Sequence, residues 1–488
     1  MRKHLYDKLK DHKHEKGILK PPINQLNNVK LQCWRNDCLP DFIWIALILD
    51  YYGREDAFLK LSLIFSDIDE SSFQFDSLQL SYIFSLNDLS QIEFYNIILR
   101  YTDVEVLSPL TIIFNKNQLF KEYFIMESFK VEDKITILEN IVEYYENNKS
   151  NEGTDLQYII ITFYFCIRKN IQLTEKTREI EDYLYKYQKS NHVNKEMRKY
   201  VPVIRSIFGG IQHALYEHHQ EFIRLFWREL FEIGCCKLNY GEYINRFALD
   251  ENFIEDVKIE FQKLIIKNIE PEIEDSKFNV IIGSSVYVLK ILDELVECDL
   301  RNKVMGRLSL RIIIEVYITL KFIHKNKQKE PEIWEKYQEY GIGKYKNILI
   351  KAREINKFEN SHLNTELIDA LINEQCDEMF VDVDLRYFKK NIRERAIDVD
   401  EKELYDLYYD YESNYAHGLW GAVRESAMLK CVNSLHLGHD VPDVQLNLSL
   451  ADVLPDAIRI FKKLLSFIDD NYYLSSEFLS KYEVKKNE

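Results

Sequence analysis

The sequence predicts an all-α protein, a multi-helix N-terminal region followed by a C-terminal helical bundle, and three observations carry that prediction. Only 14 Gly and 9 Pro occur in 488 residues, so the residues that punctuate turns are scarce and the elements between them must be long. Apolar residues recur at helical spacing through much of the chain, and some runs are apolar on nearly every face, as helices in the centre of a core are. Tyr and Phe, 32 and 28 of them, supply rings large enough to fill gaps between helices.

The elements follow in chain order. Pro21-Pro22 forbids helix, and a buried helix begins at Pro40, which sits at the head of an apolar run as a first-turn proline does. Gly53 supplies its stop. From about 56 to 150 the pattern reads as several amphipathic helices, with LSPLTIIFNKN as a short extended piece. TDLQYIIITFYFCIRKN is apolar nearly all round and should be a central helix. TEKTREIEDYLYKYQ reads as an exposed helix, KSNHVNKEMRKY up to Pro202 as a loop or sub-boundary near 190–202, and Ile211 to Ile233 as a long helix ending at Gly234.

The acidic, proline-bearing NIEPEIEDSKFN at 268–279 reads as a junction. It divides the chain into an N-terminal region, 1–270, and a helical domain, 275–445, followed by a terminal helix and tail, 446–488. Within the helical domain a pair of strong helices should meet near Asp299 to Lys303, with further helices to about 432 and a loop through Gly438 and Pro442. A last helix follows over about 450–470.

A net charge of −16 repels nucleic acid at long range and disfavours general duplex binding. Met1–Lys16 is charged throughout and does not read as a secretory signal. Phe42–Leu49 is far shorter than the roughly 20 residues a membrane helix needs. A cytoplasmic protein without membrane contact is expected. The eight Cys are scattered, which suggests free thiols. Cys33 and Cys38 have no second pair at metal-ligand spacing, and the adjacent Cys235 and Cys236 cannot easily share one ion. No metal and no cofactor are expected. Phosphate-binding glycine loops, Gly-x-Ser-x-Gly and HExxH are absent from the sequence, which removes most nucleotide-dependent and hydrolase classes. His213, Glu217, His218 and Glu221 share neighbouring helix faces, but the second Glu-x-x-His copy of a di-metal bundle is missing, so they read as a solvated face.

The densest chemistry lies in SNYAHGLWGAVRESAM, residues 413–428. On a single helix over 409–428, with Ser413 at zero, His417 falls at about 40°, Trp420 at about −20° and Arg424 at about 20°. The four would form one stripe. In the apolar helix RLSLRIIIEVYITLKFIH, Arg307, Arg311 and Glu315 form an i, i+4, i+8 ladder, and charges in such a helix need partners. The economical arrangement has the ladder facing the stripe, Glu315 neutralising Arg424 or orienting His417, and Glu412 and Glu425 pointing elsewhere.

The run from Ser413 to Asp443 resembles a family of bacterial helical proteins of unknown function, DUF5677. The resemblance rests on Ser413, His417-Gly418, Trp420, Arg424, the Cys-x-Asn-x-Leu-His element Cys431 to His436, and Pro442. Arg311 to Glu315 and WEKYQEYGIGKYKNI, 334–348, agree with it, so that it covers roughly 275–445. The family's helical outline is similar to HEPN domains, which include ribonucleases of bacterial toxin and antiphage systems that use Arg, four to six residues, then His. Here Asp410, Tyr411 and Glu412 stand where that arginine would be.

Two functions follow as expectations. In one, the chain is a binding or regulatory protein, in bacterial defence or stress, whose 413–424 groove takes a protein or small-molecule ligand. In the other it is a metal-independent endoribonuclease acting on RNA, with His417 as general acid/base, Arg424 stabilising the phosphorane, and Ser413 and Glu315 orienting them. A homodimer across this helix pair would fit the second, since HEPN enzymes build composite sites that way.

Overall fold

The computed structural model describes residues 9–20, 33–167, 178–215, 220–240, 246–268, 275–355, 361–374, 377–383 and 387–484. It is predominantly all-α, and the chain forms two compact units. The first takes in Met1–Leu238 and Lys430–His439, the second Asn239–Leu429 and Asp440–Glu488.

The first unit is built on the helix Leu39–Glu70, with Pro40 in its first turn and a run from Phe42 to Leu49 that is buried throughout. Gly53 breaks this helix at φ 73, ψ 166, and the chain then turns back into helix. Around it lie the helices Asp88–Tyr101, Val131–Tyr145, Asn151–Thr162, Met197–Leu215 and Gln220–Ile233. Aromatic rings fill the crossings, among them Trp44, Tyr95, Phe65 and Phe120, all almost fully buried. Each buried indole finds a backbone acceptor: Trp34 donates to the Tyr145 carbonyl at 2.7 Å, Trp44 to Leu78 at 2.9 Å and Trp227 to Asn36 at 3.0 Å.

Asp155 is the polar knot of this unit. Its carboxylate accepts from Arg54 Nε at 2.9 Å and Tyr187 Oη at 2.6 Å, and His192 Nε2 lies 2.8 Å away. Arg54 also donates to the carbonyls of Tyr187 and Ser190.

Three local expectations are corrected. LSPLTIIFNKN is not extended: Ser108–Ile112 is a 3₁₀ turn with Pro109 in its first positions, where the fixed proline φ suits a helix start. Pro202 does not close a loop but lies inside Met197–Leu215, where it removes one bond of the helical ladder. Helix does not run to 432, because Met428–Cys431 is extended. The stretch 168–177 and most of the acidic junction, 269–274, lie outside the described residues.

The second unit packs Phe253–Asn268, Ser276–Glu297, Val304–Asn326 and Leu454–Tyr472 around one core. Leu292, Ile313, Tyr317, Phe461 and Leu464 are wholly buried at its centre. Ser276–Glu297 and Val304–Asn326 meet at a turn in which Asp299 has a positive φ, where the sequence places the joint. In the helix Ile333–Glu354, Gly343 lets the chain at 382 pass close by, since a Cβ there would lie 2.3 Å from the Asp382 carbonyl oxygen. No described helix is long and apolar enough to cross a membrane.

Buried Glu401 ties this core together, accepting from Tyr317 Oη at 2.8 Å, Lys321 Nζ at 2.9 Å and Lys463 Nζ at 2.8 Å. Burial alone would raise its pKa, but the two ammonium groups and the phenol outweigh that and hold it below the usual carboxylate value. Its contribution is therefore present above the ordinary Glu value and lost as pH falls toward the lowered one. Glu401→Gln should cost about 2–3 kcal/mol at pH 7, less as the solution is acidified. Urea unfolding followed at pH 7 and pH 4 checks both the size and the sign.

Candidate functional site

In the second unit the helix Val304–Asn326 crosses the short helix Asp410–Ala416, and the charged ladder lies along that crossing. Arg307, 6% exposed, sets its Nη1 3.3 Å from Glu412 Oε1 and donates from Nη2 to the Ala451 carbonyl at 3.1 Å. The rings of Tyr411 and Tyr415 lie 5.7 and 5.6 Å from its guanidinium. Glu412 is 1% exposed, and burial pushes its carboxyl up to about 7 against the opposing pull of Arg307. Its second oxygen has no hydrogen-bond partner among the described residues.

One turn on, Arg311 donates from Nε to Ser413 Oγ at 3.3 Å and from Nη2 to Tyr409 Oη at 2.7 Å. Its guanidinium lies 4.7 Å from the centre of the Tyr409 ring. Tyr409 donates in turn to Glu315 Oε2 at 2.9 Å, and Arg311 Nη1 stands 3.6 Å from that oxygen. Burial and the Glu315 carboxylate push the Tyr409 phenol up. Ser413 donates its own proton to the Tyr409 carbonyl at 2.7 Å. Its hydroxyl is thus used in both directions, in a closed network rather than as a free nucleophile.

Beyond Ser413 the expected single helix is two. Asp410–Ala416 ends at His417, Gly418 takes φ +58, and Trp420–Ala427 begins afresh. The Gly418 N–H donates to the Tyr415 carbonyl at 3.2 Å and the Leu419 N–H to Asn414 at 2.9 Å. That bond pair is the Schellman cap, which calls for glycine in the left-handed position. The stripe of Ser413, His417, Trp420 and Arg424 therefore does not exist as one helical face. His417 is exposed, with no hydrogen bond from its side chain among the described residues. Arg424 is half-exposed and pairs with Asp440, Nε to Oδ2 at 2.7 Å, not with Glu315. Trp420 is 65% exposed and Leu419 51%.

The structure brings together Arg307, Arg311, Glu315 and Ser413, and leaves His417, Trp420 and Arg424 outside that network. Glu412, Tyr409 and Asp440 are the partners that sequence reasoning did not assign. Of the His and Glu residues at 213–221, Glu217 and His218 and the His213 side chain lie outside the described residues. Among the described residues, the one group of His, Cys, Asp or Glu side chains close enough to share an ion lies in the first unit.

Residues 303–431 match the model of a family described as a family of unknown function, DUF5677. The matched span holds both helices of the crossing and the Gly418 corner. No curated protein and no solved structure matches the chain, and HEPN domains are not among the matches.

Two outcomes are expected of this geometry. A Cβ at residue 418 meets no other atom within 4 Å, so Gly418→Ala should cost only the left-handed backbone penalty, about 1 kcal/mol, in denaturant unfolding. Folded Glu412 holds its proton more tightly than its unfolded value of 4.5. Its effect is therefore absent below that value and grows into a loss of stability as pH rises toward about 7. Glu412→Gln, neutral throughout, should flatten the pH 5–8 portion of the stability curve measured by denaturant titration.

Proposed function

We propose that the chain is a cytoplasmic binding or regulatory protein, and that the corner His417–Trp420 of its second unit is a contact surface for a protein partner. One observation carries the reading. Of five tryptophans, four are at most 5% exposed, while Trp420 is 65% exposed and follows an exposed Leu419. A large ring beside an apolar neighbour on a rigid turn is the kind of group that anchors protein interfaces, where tryptophan is enriched among the residues that dominate binding. The corner is rigid because the Schellman cap fixes it, and the helix behind it is held to the Val304–Asn326 helix by the Arg307–Glu412 and Arg311–Ser413 contacts.

The charge arrangement supports binding over RNA cleavage. Arg307 is held against Glu412, Arg311 lies beside Glu315, and Arg424 is paired with Asp440. A phosphorane needs cations aimed at empty space where its charge develops, and these three are already engaged by carboxylates.

The test is a photo-crosslinking amino acid at position 420, with position 446, also exposed, as the control in the same unit. A discrete protein adduct in cells from 420, absent from 446 and abolished by Leu419→Ser, is the expected result. In parallel the purified protein is incubated with total RNA and EDTA. Cleavage by the wild type that His417→Ala and Arg424→Ala both lose, while remaining folded, would overturn the binding reading and establish the nuclease.

A further inference from the structure

The first unit holds four side chains that neither the helical crossing nor the corner uses. Cys236 Sγ, Cys431 Sγ and one nitrogen each of His436 and His439 all lie within 4.8 Å of one another. From these we infer that Cys236, Cys431, His436 and His439 form a structural zinc site.

Three of the six ligand–ligand distances match those around a tetrahedral ion. With Zn–S near 2.3 Å and Zn–N near 2.0–2.1 Å, a regular tetrahedron has edges of roughly 3.3–3.8 Å. Cys236 Sγ to His439 Nε2 is 3.3 Å, Cys431 Sγ to His436 Nδ1 is 3.3 Å, and Cys236 Sγ to His436 Nδ1 is 3.7 Å. Two thiolates and two neutral imidazoles balance a divalent charge, and the set of soft sulfur with imidazole suits zinc. Four protein ligands leave no open position, which marks the site as structural rather than catalytic.

The second observation is the burial of His436. It is 1% exposed, yet its Nδ1 faces two sulfurs, which are weak hydrogen-bond partners for a buried ring nitrogen. A metal ion satisfies that nitrogen and both sulfurs at once.

The backbone around the ligands is held as a ligand loop needs to be. The Cys431 N–H donates to the His439 carbonyl at 3.1 Å and the Val432 N–H to the Lys237 carbonyl at 2.8 Å. Asn433 Nδ2 donates to the Cys235 carbonyl at 2.7 Å, and Arg35 reaches the carbonyls of Ser434 and His436. Phe231 covers both imidazoles, its ring centre 4.5 Å from that of His436 and 5.2 Å from that of His439. Gly234 lies so close that a Cβ there would stand 3.0 Å from His436 Nε2.

A zinc site here departs from the expectation of no metal, which weighed cysteine pairs at short spacing and the His and Glu residues at 213–221. Three ligands come from the run Cys431-x4-His436-x2-His439, and the fourth stands 200 residues before His436. Cys235, adjacent to Cys236, is not part of the set.

The test uses the full chain, purified under reducing conditions without chelator after growth with added zinc, and its metal content measured by plasma mass spectrometry. Wild type and Cys235→Ser should carry about one zinc per chain, and Cys236→Ser and His439→Ala at least about tenfold less. Chelated wild type given Co(II) should develop the intense visible bands of tetrahedral cobalt and a thiolate charge-transfer band that Cys236→Ser weakens. Wild type alone answers this second measurement if a variant fails to fold. The inference fails if folded, reduced wild type takes up neither zinc nor tetrahedral cobalt. Equal zinc in all variants would place the metal elsewhere and overturn it, as would a Cys236–Cys431 disulfide in freshly isolated, metal-free protein. None of these outcomes depends on what the Trp420 corner binds.

Discussion

The second unit depends on one buried contact, that of Arg307 with Glu412. Arg307 and Glu412 are both nearly inaccessible to water, and removing either would leave the polar atoms of the other buried without their partner, a loss of several kcal/mol. The pair therefore acts less as a source of stability than as a constraint on register. Only one placement of the Asp410–Ala416 helix on Val304–Asn326 brings Glu412 to Arg307 and, one turn further, Ser413 and Tyr409 to Arg311. Tyr409 carries the arrangement on to Glu315. Each hydroxyl in this chain of contacts both gives and takes a hydrogen bond, which fixes its orientation and removes it from chemistry.

Two buried carboxylates in the same unit respond to pH in opposite senses. Glu401 is held by two lysines and a phenol and prefers to be charged. Glu412 has one cation, a second oxygen without a partner among the described residues and almost no exposure, and holds its proton up to about pH 7. The difference is one of partner number set against burial, and not of depth alone.

Much of this was legible in the sequence, and the remainder was lost for identifiable reasons. Scarce Gly and Pro, the apolar periodicity and the joint near Asp299 are local signals, and they read directly as helices and a turn. That Arg307 and Arg311 need partners on a facing helix followed from the cost of unpaired buried charge, but the ladder was expected to face 413–424, and its contacts fall on 409–413. The wrong step was to carry one helix through His417-Gly418. A glycine after a histidine at a helix end is itself a cap signal, but the stripe of polar residues across it suggested continuity. Glu412 as partner of Arg307 was missed because that single-helix projection turned it away from the stripe. The gathering of Cys236 with three residues near 435 is a property of tertiary folding, and no spacing rule over short windows reaches it.

The placement of residues 430–439 in the first unit has a consequence for synthesis on the ribosome. The core of that unit includes Leu435, and three of the four zinc ligands lie in this segment. The nascent first unit must therefore wait, one thiol in hand at Cys236, while the 200 residues up to His436 are translated. At about 5–20 residues per second that interval is roughly 10–40 s. During it, the surface destined for residues 430–439 is uncovered, and residues 239–429 of the second unit are made before the first can close, with the core helix Leu454–Tyr472 still to come.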